Sequence, residues 1–510
     1  MTCLIFLSSI CKRSIALSIF MIFVTEVSAQ DVINRHAEHA NASTLFMGML
    51  YQNPSYQMDR YKTSLNRASL YNYNRQATLP PLLEDGDDTQ LWGARVNAYI
   101  PKGKSVIWGY AHYDNSRTKN IHYSETSDAS LLYPYIMADT IGGGTSKDEI
   151  YDFMGGFSTR PNTKWIIGAQ GAYTAQLDYR VCDPRPKNLT SDIKLTMGTS
   201  YLLSAYQVGA ALHFHRYKQT NEVKVYNEIS SPLFYHLTGL GTDYYRFRGE
   251  NTATYYKGAG WGITLNAAPK DKSGFFASYQ YQNLYIDKII SSLNELPMST
   301  LKLYYFSAEA GYLNQGRRHD FGVKLNGNYS LRKGIENIFG SPASHMYPQI
   351  GSESQFKQQQ LDLSSEALYS CHSERSVYEF DYRLSYNHLK ETHNDPYRLM
   401  QSSAISSRLQ ANALWLIHKW LCQISLSFLT VNSFKNNMEL KGELNRAILP
   451  PLLQRYDYLS SHRYLTDNSI TFHYDTGRKY SVFFSLNWQY SHYQQHQHTN
   501  EQTISIGIEF

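Results

Sequence analysis

The residues of this chain that could do chemistry are charged side chains at alternate positions of otherwise apolar runs. In Trp165–Arg180 the odd positions are apolar or small, while Asp178 and Arg180 fall at even positions. Successive side chains of a strand point to opposite faces, so each run has one apolar and one polar face. Across the clearest runs the polar faces carry five cations and three carboxylates. These residues are Arg95, Asp178, Arg180, Lys324, Glu379, Asp381, Arg383 and Arg408.

This mixture of charges predicts a wet interior, because unpaired charges in a dry core are very costly. The small excess of cations favours anionic or zwitterionic solutes over cationic ones. The alternative is that the charges pair with one another across the interior and merely fill it.

One segment between the runs, residues 114–148, combines carboxylates with aromatic rings. Glu125, Asp128 and Asp139 lie near the phrase Y-P-Y and three consecutive glycines. We expect this segment to fold inward, where its carboxylates and rings would form a constriction or a site for a sugar or a cation. The alternative is a solvated surface loop.

A second segment, residues 178–188, places Arg185 and Lys187 beside acidic residues and is stiffened by two prolines. Because Arg binds carboxylate and phosphate groups through two parallel hydrogen bonds, this segment is a candidate anion site. The alternative is a structured rim loop without a ligand.

The sequence predicts neither a metal site nor a catalytic site. His492, His496 and His498 supply three imidazoles, but no carboxylate or cysteine is placed to complete a ligand set. The sequence has no G-x-S-x-G motif, and none of its Ser and His residues stands out as a nucleophile–base pair. We therefore expect no metal, no cofactor and no enzymatic activity.

The elements that position these residues are strands, and the clearest is the last. The chain ends in T-I-S-I-G-I-E-F, with Ile504, Ile506, Ile508 and Phe510 on one face. An alternating final strand that ends in an aromatic residue is typical of outer-membrane barrel proteins. The alternative is an edge strand of a soluble β domain. A strand that closes a barrel is tied down on both edges, which keeps a chain terminus from fraying.

The connectors between the runs alternate between short turns and long loops. Outer-membrane barrels have short periplasmic turns, longer external loops and an even number of strands. The pattern therefore predicts an all-β fold, a transmembrane antiparallel up-and-down barrel of about 18 strands, with about 14 as the lower bound. The predicted strands span residues 56–70, 89–100, 104–113, 149–158, 164–180, 191–201, 205–217, 255–268, 274–284, 300–313, 319–331, 358–370, 376–388, 405–417, 422–433, 468–475, 480–492 and 504–510.

The N-terminus has the pattern of a secretory signal. Lys12 and Arg13 precede an apolar run too short to span a membrane as a helix, and the phrase V-S-A then fits a cleavage site. We expect residues 1–29 to be a signal peptide, 30–55 a short periplasmic segment and 56–510 the barrel. The periplasmic segment is too short for the globular plug of the large energised transporters.

Composition agrees with this class of fold. The chain has 43 Tyr against 22 Phe and 7 Trp, and Tyr suits both strands and the membrane–water boundary. A net charge of +5 without a long basic run gives no support for nucleic-acid binding. Beyond the signal, Cys182, Cys371 and Cys422 remain, an odd number that allows one disulfide but excludes a complete framework.

Four phrases in the long loops resemble a known family. The chain looks like a member of an uncharacterised family of Bacteroidetes outer-membrane β-barrel proteins, catalogued as a domain of unknown function. The resemblance implies the fold and the location, and it implies no substrate, ligand or catalytic residue. The phrases that carry it are Tyr123–Gly144, Asp178–Asn188, His236–Gly249 and Lys288–Pro297.

We therefore expect an outer-membrane channel or uptake component for a small polar or anionic solute, gated by inward-folded loops. One alternative is a non-conducting barrel that binds at the cell surface or assists assembly or secretion with a partner such as a surface lipoprotein. A second alternative is an outer-membrane enzyme. The expected surroundings are outer-membrane lipid, and no nucleic acid is expected as a partner.

Overall fold

The computed structural model describes residues 29–227, 232–249, 253–342, 346–477, 479–493 and 497–510, and the predicted signal peptide lies almost wholly outside them. Most of these residues form one closed antiparallel sheet of 18 strands, which confirms the predicted barrel. The wall strands are β1 (Leu65–Ala77), β2 (Asp88–Lys102), β3 (Ser105–Ile121), β5 (Gly144–Thr159), β6 (Trp165–Arg180), β7 (Arg185–Leu202), β8 (Tyr206–Lys224), β11 (Ala253–Pro269), β12 (Gly274–Ile290), β13 (Leu296–Gln315), β14 (His319–Phe339), β15 (Gln349–His372), β16 (Ser376–His393), β17 (Arg398–Ile417), β18 (Trp420–Leu440), β19 (Arg463–Asp475), β20 (Ser481–Tyr493) and β21 (Gln497–Glu509).

The last strand closes the barrel against the first. β21 pairs with β20 on one edge and with β1 on the other, where Leu70 lies opposite Ile506. The closure continues to the last residue, because Asn66 and Phe510 exchange two backbone hydrogen bonds of 2.9 Å. No edge of the C-terminal strand is therefore left unpaired.

The outward face of the wall is a continuous apolar belt. Large apolar side chains alternate with inward-facing residues and remain exposed, which is the pattern of a barrel surrounded by hydrocarbon. The belt includes Leu70, Trp92, Ile107, Phe157, Ile167, Leu195, Leu212, Trp261, Leu325, Phe380, Leu409, Phe428, Phe484 and Ile506. In the described part of the chain, no helix has both the length and the apolar character needed to cross a membrane.

The first predicted strand, 56–70, is displaced in the structure. Pro54–Asp59 is a 3-10 helix, and β1 begins only at Leu65. The helix starts there because Pro54 fixes a helical φ and the side chain of Asn53 accepts a hydrogen bond from the backbone of Ser55 at 3.0 Å. The predicted domain boundary at residue 56 falls within this turn.

Most strands extend beyond their predicted outer ends, and the long loops are correspondingly shorter. β8 continues to Lys224 and β15 begins at Gln349, each well inside a segment expected to be loop. The predicted loop 434–467 contains the end of β18, a helix and the start of β19.

Chain segments fill both ends of the barrel. At the end with the short turns lies the N-terminal plug (residues 34–61), which includes most of α1 (Ala29–His39), α2 (Ala42–Phe46) and two 3-10 helices. At the end with the long loops lies the inner loop (residues 122–142), which contains α3 (Ala129–Leu132) and the two-residue strand β4 (Met137–Ala138). β4 pairs with β9 (Tyr235–Gly239), which pairs with β10 (Thr242–Asp243), and α4 (Pro450–Ser460) packs beside them.

Candidate functional site

The inner loop is held in the barrel by an apolar cluster around Leu132, Tyr135 and Ile136 and by hydrogen bonds to its own backbone. Its carbonyl oxygens accept hydrogen bonds from inward-facing side chains of three wall strands. The hydroxyl of Tyr256 donates to the carbonyl of Tyr135 at 2.8 Å, and the ammonium of Lys288 donates to that of Ile136 at 3.2 Å. The guanidinium of Arg332 donates to the carbonyl of Tyr133 at 2.6 Å. These bonds satisfy backbone groups that would otherwise be buried without partners.

A buried ion pair fixes the start of the inner loop. Glu125 pairs with Arg180 of β6, and the Arg180 guanidinium also donates to the carbonyl of Ser124 at 2.9 Å. Both side chains of the pair are almost fully buried. Burial raises the pKa of Glu125 well above its usual range, and Asp139 adds to the rise while Arg180 opposes it.

The other two predicted loop carboxylates also lie at the inner loop. Asp128 accepts a hydrogen bond from the hydroxyl of Tyr217 at 2.8 Å, and burial raises the pKa of Asp128. Asp139 is fully buried and accepts hydrogen bonds from the backbone N–H groups of Ile141 and Gly142, at 3.0 and 3.2 Å.

A cavity of about 470 Å³ lies between the inner loop and the wall. Its lining mixes guanidinium, carboxylate and amide groups with few apolar ones. This volume is within the range of small-molecule sites, and convergent polar groups are what fix a ligand in such sites. The polar lining consists of Glu84, Asp85, Ser124, Thr126, Ser127, Asp128, Ser130, Ser146, Asp148, Gln176, Asp178, Arg180, Arg332, Gln358, Gln360 and Arg455.

Some charged groups of this lining come from segments outside the wall, among them Arg455 and Glu84. Arg455 of α4 donates to the carboxylate of Glu391 at 3.0 Å. Burial lowers the pKa of Arg455, but Glu391 outweighs it and holds the pKa above the usual range. Glu84 has a buried carboxylate oxygen without a hydrogen-bond partner, and burial raises its pKa to about 7. Glu84 therefore gives the cavity a carboxyl group whose pKa lies near neutral pH.

The structure places all eight predicted lumen residues on the inward face, but at three different depths. Asp178 and Arg180 border the cavity. Lys324 and Glu379 contact the N-terminal plug, because the Lys324 ammonium donates to the carbonyl of Phe46 at 2.7 Å and Glu379 accepts from the backbone of Ala42 at 2.9 Å.

The remaining four face the lumen between the two filled ends. Arg383 donates to Glu366 at 2.6 Å, and Asp381 lies on the same face two residues before it. Arg408 donates to the hydroxyl of Ser427 at 3.2 Å. Arg95 is exposed and lies over the ring of Tyr71 at 5.2 Å.

The predicted ratio of five cations to three carboxylates does not describe this wall. Further carboxylates face inward, and they contact the same cations: Lys324 lies 3.5 Å from Glu309 and 3.3 Å from Glu366. The interior is therefore mixed in charge, since further cations such as Lys288 and Arg332 also face inward. The additional inward carboxylates include Asp114, Asp152, Glu309, Glu366 and Glu391.

Arg185 and Lys187 are not at a constriction. They lie on the outward face of β7, in alternation with inward-facing Asn188 and Thr190. Arg185 pairs with Asp183 at 2.7 Å and lies over the ring of Tyr226. The physical reason is strand parity: β7 already begins at Arg185, whereas we expected a loop there.

Sequence reasoning missed several wall residues that contact the inner loop, for a common reason. Lys288, Arg332 and Glu391 lie just beyond the predicted ends of their strands, in segments that we expected to be loops. Extending the alternation of each strand outward would have placed all three on the inward face. Glu84 and Arg455 carry no such signal, because they reach the cavity from loop segments.

Cys182, Cys371 and Cys422 are free in the structure, so the one disulfide that the sequence allows is not formed among them. Of the three C-terminal histidines, His496 lies outside the described residues. His492 lies 4.9 Å from the ring of Tyr464, and His498 lies 5.9 Å from that of Tyr490.

A family model described as a family of unknown function (DUF6850) matches residues 54–510, which confirms the resemblance seen in the loop phrases. No curated protein matches the chain in sequence. Among solved structures, the siderophore receptor PiuA from Acinetobacter baumannii matches 88% of this chain and 82% of its own, with 8% identity and a TM-score of 0.40.

Two further barrels match at a similar level. The ferric yersiniabactin uptake receptor FyuA from Yersinia pestis has 10% identity and a TM-score of 0.39, over 87% of this chain and 80% of its own. The CymD monoaromatic hydrocarbon channel has 10% identity and a TM-score of 0.32, over 91% of each chain. Similarity at this level concerns barrel architecture alone.

Proposed function

The chain belongs to this family of unknown function, and we propose that it is an outer-membrane barrel for the uptake of a small polar solute. The apolar belt and the secretory pattern at the N-terminus support the location. The observation that carries the proposed function is the polar cavity beneath the inner loop. It lies where a solute arriving from the long-loop side would first leave bulk water.

The chemistry of the cavity favours a solute with several hydrogen-bonding groups and little net charge. Arg332 and Arg455 offer donors, Asp148 and Asp178 offer acceptors, and the amides of the lining offer both. A sugar or a zwitterion would match this mixture, whereas a strongly charged solute would meet like charges. We propose no catalytic role for these groups.

The pathway is closed in this conformation, because chain segments fill both ends of the barrel. Uptake therefore requires movement of the inner loop at one end and of the N-terminal plug at the other. Inner-loop carbonyls are bound by side chains of the wall, and these bonds can exchange for water without breaking the barrel sheet.

Liposome swelling with purified protein tests this function. Neutral sugars, zwitterionic amino acids and singly charged analogues of similar size would be compared. We expect faster swelling with neutral and zwitterionic solutes than with anions. Replacing Asp148→Asn should lower the entry of cationic amino acids several-fold relative to neutral ones. Glu149→Gln, one residue along the same strand and facing outward, is the matched control. Equal rates for every solute, or none above empty liposomes, would count against uptake.

A second candidate function is a non-conducting barrel that binds a partner at the cell surface. The observation in its favour is a set of exposed apolar residues among the outer loops and strand ends, Tyr226, Tyr245, Met346 and Ile350. Crosslinking in intact cells, compared between the wild type and Tyr245→Ser, would test it. A partner captured equally by both would mean that this surface is not the binding site.

A further inference from the structure

A buried cluster at the short-turn end joins the N-terminal plug to the closing strands. It consists of His36 on α1, His473 on β19 and Glu509 on β21, and all three side chains are buried. Their ligand-type atoms lie within 4.8 Å of one another. Two imidazoles and one carboxylate are a donor set that divalent first-row transition metals prefer, whereas Ca²⁺ and Mg²⁺ prefer oxygen ligands alone.

The distances suit a metal of this class. His36 Nδ1 lies 3.2 Å from Glu509 Oε1, and His473 Nδ1 lies 3.1 Å from Glu509 Oε2. Bonds of about 2.0–2.2 Å to a tetrahedral zinc ion imply separations of about 3.3–3.6 Å between its ligand atoms. The two observed separations, each to a different oxygen of Glu509, are slightly shorter than that, so a bound ion would move the side chains apart by a few tenths of an ångström.

The cluster also has polar atoms with no other partner. Both ring nitrogens of His473 and the Oε2 atom of Glu509 are buried without a hydrogen bond. His473 Nδ1 and Glu509 Oε2 are therefore close together but not aligned as a hydrogen bond. A buried imidazole and a buried carboxylate oxygen left in this way are costly unless something binds between them.

A neighbouring side chain orients His36 for such a role. Its Nε2 atom lies 3.3 Å from the Oε1 atom of Gln423. If Nε2 carries the proton for that bond, the neutral ring turns a lone pair of Nδ1 toward Glu509. Metal-binding histidines commonly donate a hydrogen bond from the N–H of their other ring nitrogen in this way. Arg67, 3.5 Å from Glu509 Oε1, balances part of the carboxylate charge and leaves Oε2 unpaired.

We propose that His36, His473 and Glu509 bind one divalent transition-metal ion of the zinc class, which fastens the N-terminal plug to the closing strands of the barrel. The site joins a helix near the start of the chain to Glu509, the last residue of the closing strand. Binding to the folded state alone stabilises the plug by mass action. The proposal does not depend on whether the barrel takes up a solute.

The test uses the full mature chain without an affinity tag, purified in detergent and stripped of metal with a chelator. Zn²⁺ binding is measured by titration calorimetry, and Co²⁺ binding by its visible absorption. We expect one site per chain. His36→Ala should weaken Zn²⁺ binding by about 100-fold or more, and Gln423→Leu by about tenfold. Glu509 is left intact because it lies in the closing strand.

The matched control is His39→Ala on the same helix. His39 is outside the cluster, stacks on Tyr61 at 3.8 Å and should leave Zn²⁺ affinity unchanged. Because His36 lies outside the wall, its variant should retain the barrel, which native gel migration checks. Amide exchange of residues 34–47 should slow when Zn²⁺ is added to the wild type and not when it is added to His36→Ala. Zn²⁺ affinity that is equal in the wild type and His36→Ala, or absent from both, would overturn the proposal.

Discussion

The two filled ends of the barrel both pack apolar clusters against the wall, but they differ in what lies beside them. In the N-terminal plug, Phe46 and Leu50 share a cluster with Phe276 and Leu313 of the wall. The inner loop packs a cluster of similar size, and the buried pair of Glu125 with Arg180 also fixes its start. Only the inner loop borders the large polar cavity. The N-terminal plug therefore seals the short-turn end, whereas the long-loop end encloses a polar cavity.

The largest expected effect is the loss of the seal. Deleting residues 30–52 removes the apolar cluster and exposes the inward charges of the wall to water. We expect frequent stepwise conductance in planar bilayers from the truncated barrel, in which only the inner loop must move, and rare openings from the full chain, in which both segments must move. Replacing residues 124–136 by a short Gly-Ser linker is the paired change, and it should leave the barrel closed. A folded truncated barrel without conductance would contradict the N-terminal plug as the seal. So would a loop variant that conducts more than the truncated barrel.

The next effect concerns the polar attachment of the inner loop. Arg180→Ala leaves the carboxylate of Glu125 buried without its partner, which should cost the docked loop about 3–5 kcal/mol. Amide exchange of residues 124–138 should accelerate while the wall strands stay protected. Arg185→Ala, whose ion pair lies on the outward face, should change little. Unchanged exchange in Arg180→Ala would show that the apolar contacts alone hold the loop.

The apolar attachment of the N-terminal plug can be weakened at a single residue. Leu50 is 2% exposed, and Leu50→Ala should cost the plug about 2–5 kcal/mol. Leu45, on the same segment, is 53% exposed, so that Leu45→Ala should stay within about 0.5 kcal/mol. The rate at which a protease cleaves residues 34–61 measures both. Similar rates for the two variants would contradict a packed seal.

The smallest expected effect is the pH dependence of the stability of the segment that carries Glu84 at the polar cavity. Burial raises the pKa of Glu84 from 4.5 to about 7, so the folded state binds its proton more tightly than the unfolded state does. The tighter proton binding stabilises the folded state by about 3 kcal/mol at most. This stabilisation is fully present below pH 4.5 and is lost as the pH rises through 7. The protection of the amides of residues 82–87, which is their exchange rate relative to the intrinsic rate at the same pH, should be weaker at pH 8 than at pH 5. Glu84→Gln should abolish the difference, and a difference that persists would assign it to another group.

Strand parity accounts for what the sequence predicts well. All eight lumen residues face inward because a period of two assigns a face wherever one side is apolar, as in Trp165–Arg180. The same rule fails where a strand end is misplaced. Lys187 faces outward because β7 begins earlier than expected, and Lys288 and Glu391 face the interior from segments that we expected to be loops.

Strand parity makes no prediction for segments that are not strands. The displaced first strand shows this, because Tyr56 and neighbouring residues alternate acceptably as a strand yet form a helical turn that packs inside the barrel. The short N-terminal segment gives no sequence signal of a plug. Its apolar residues are concentrated in the run Leu45–Tyr51, and they become a seal only against the wall that surrounds them.

The sequence by itself determined the closed barrel, its outward belt and the polarity of its interior, because alternation along a strand is a local pattern. The tertiary structure decided what fills that interior. Contacts such as Phe46 with Phe276, or His36 with Glu509, join residues hundreds of positions apart and have no period. Their energies depend on which side chains meet when the barrel closes, and only the folded chain brings those side chains together.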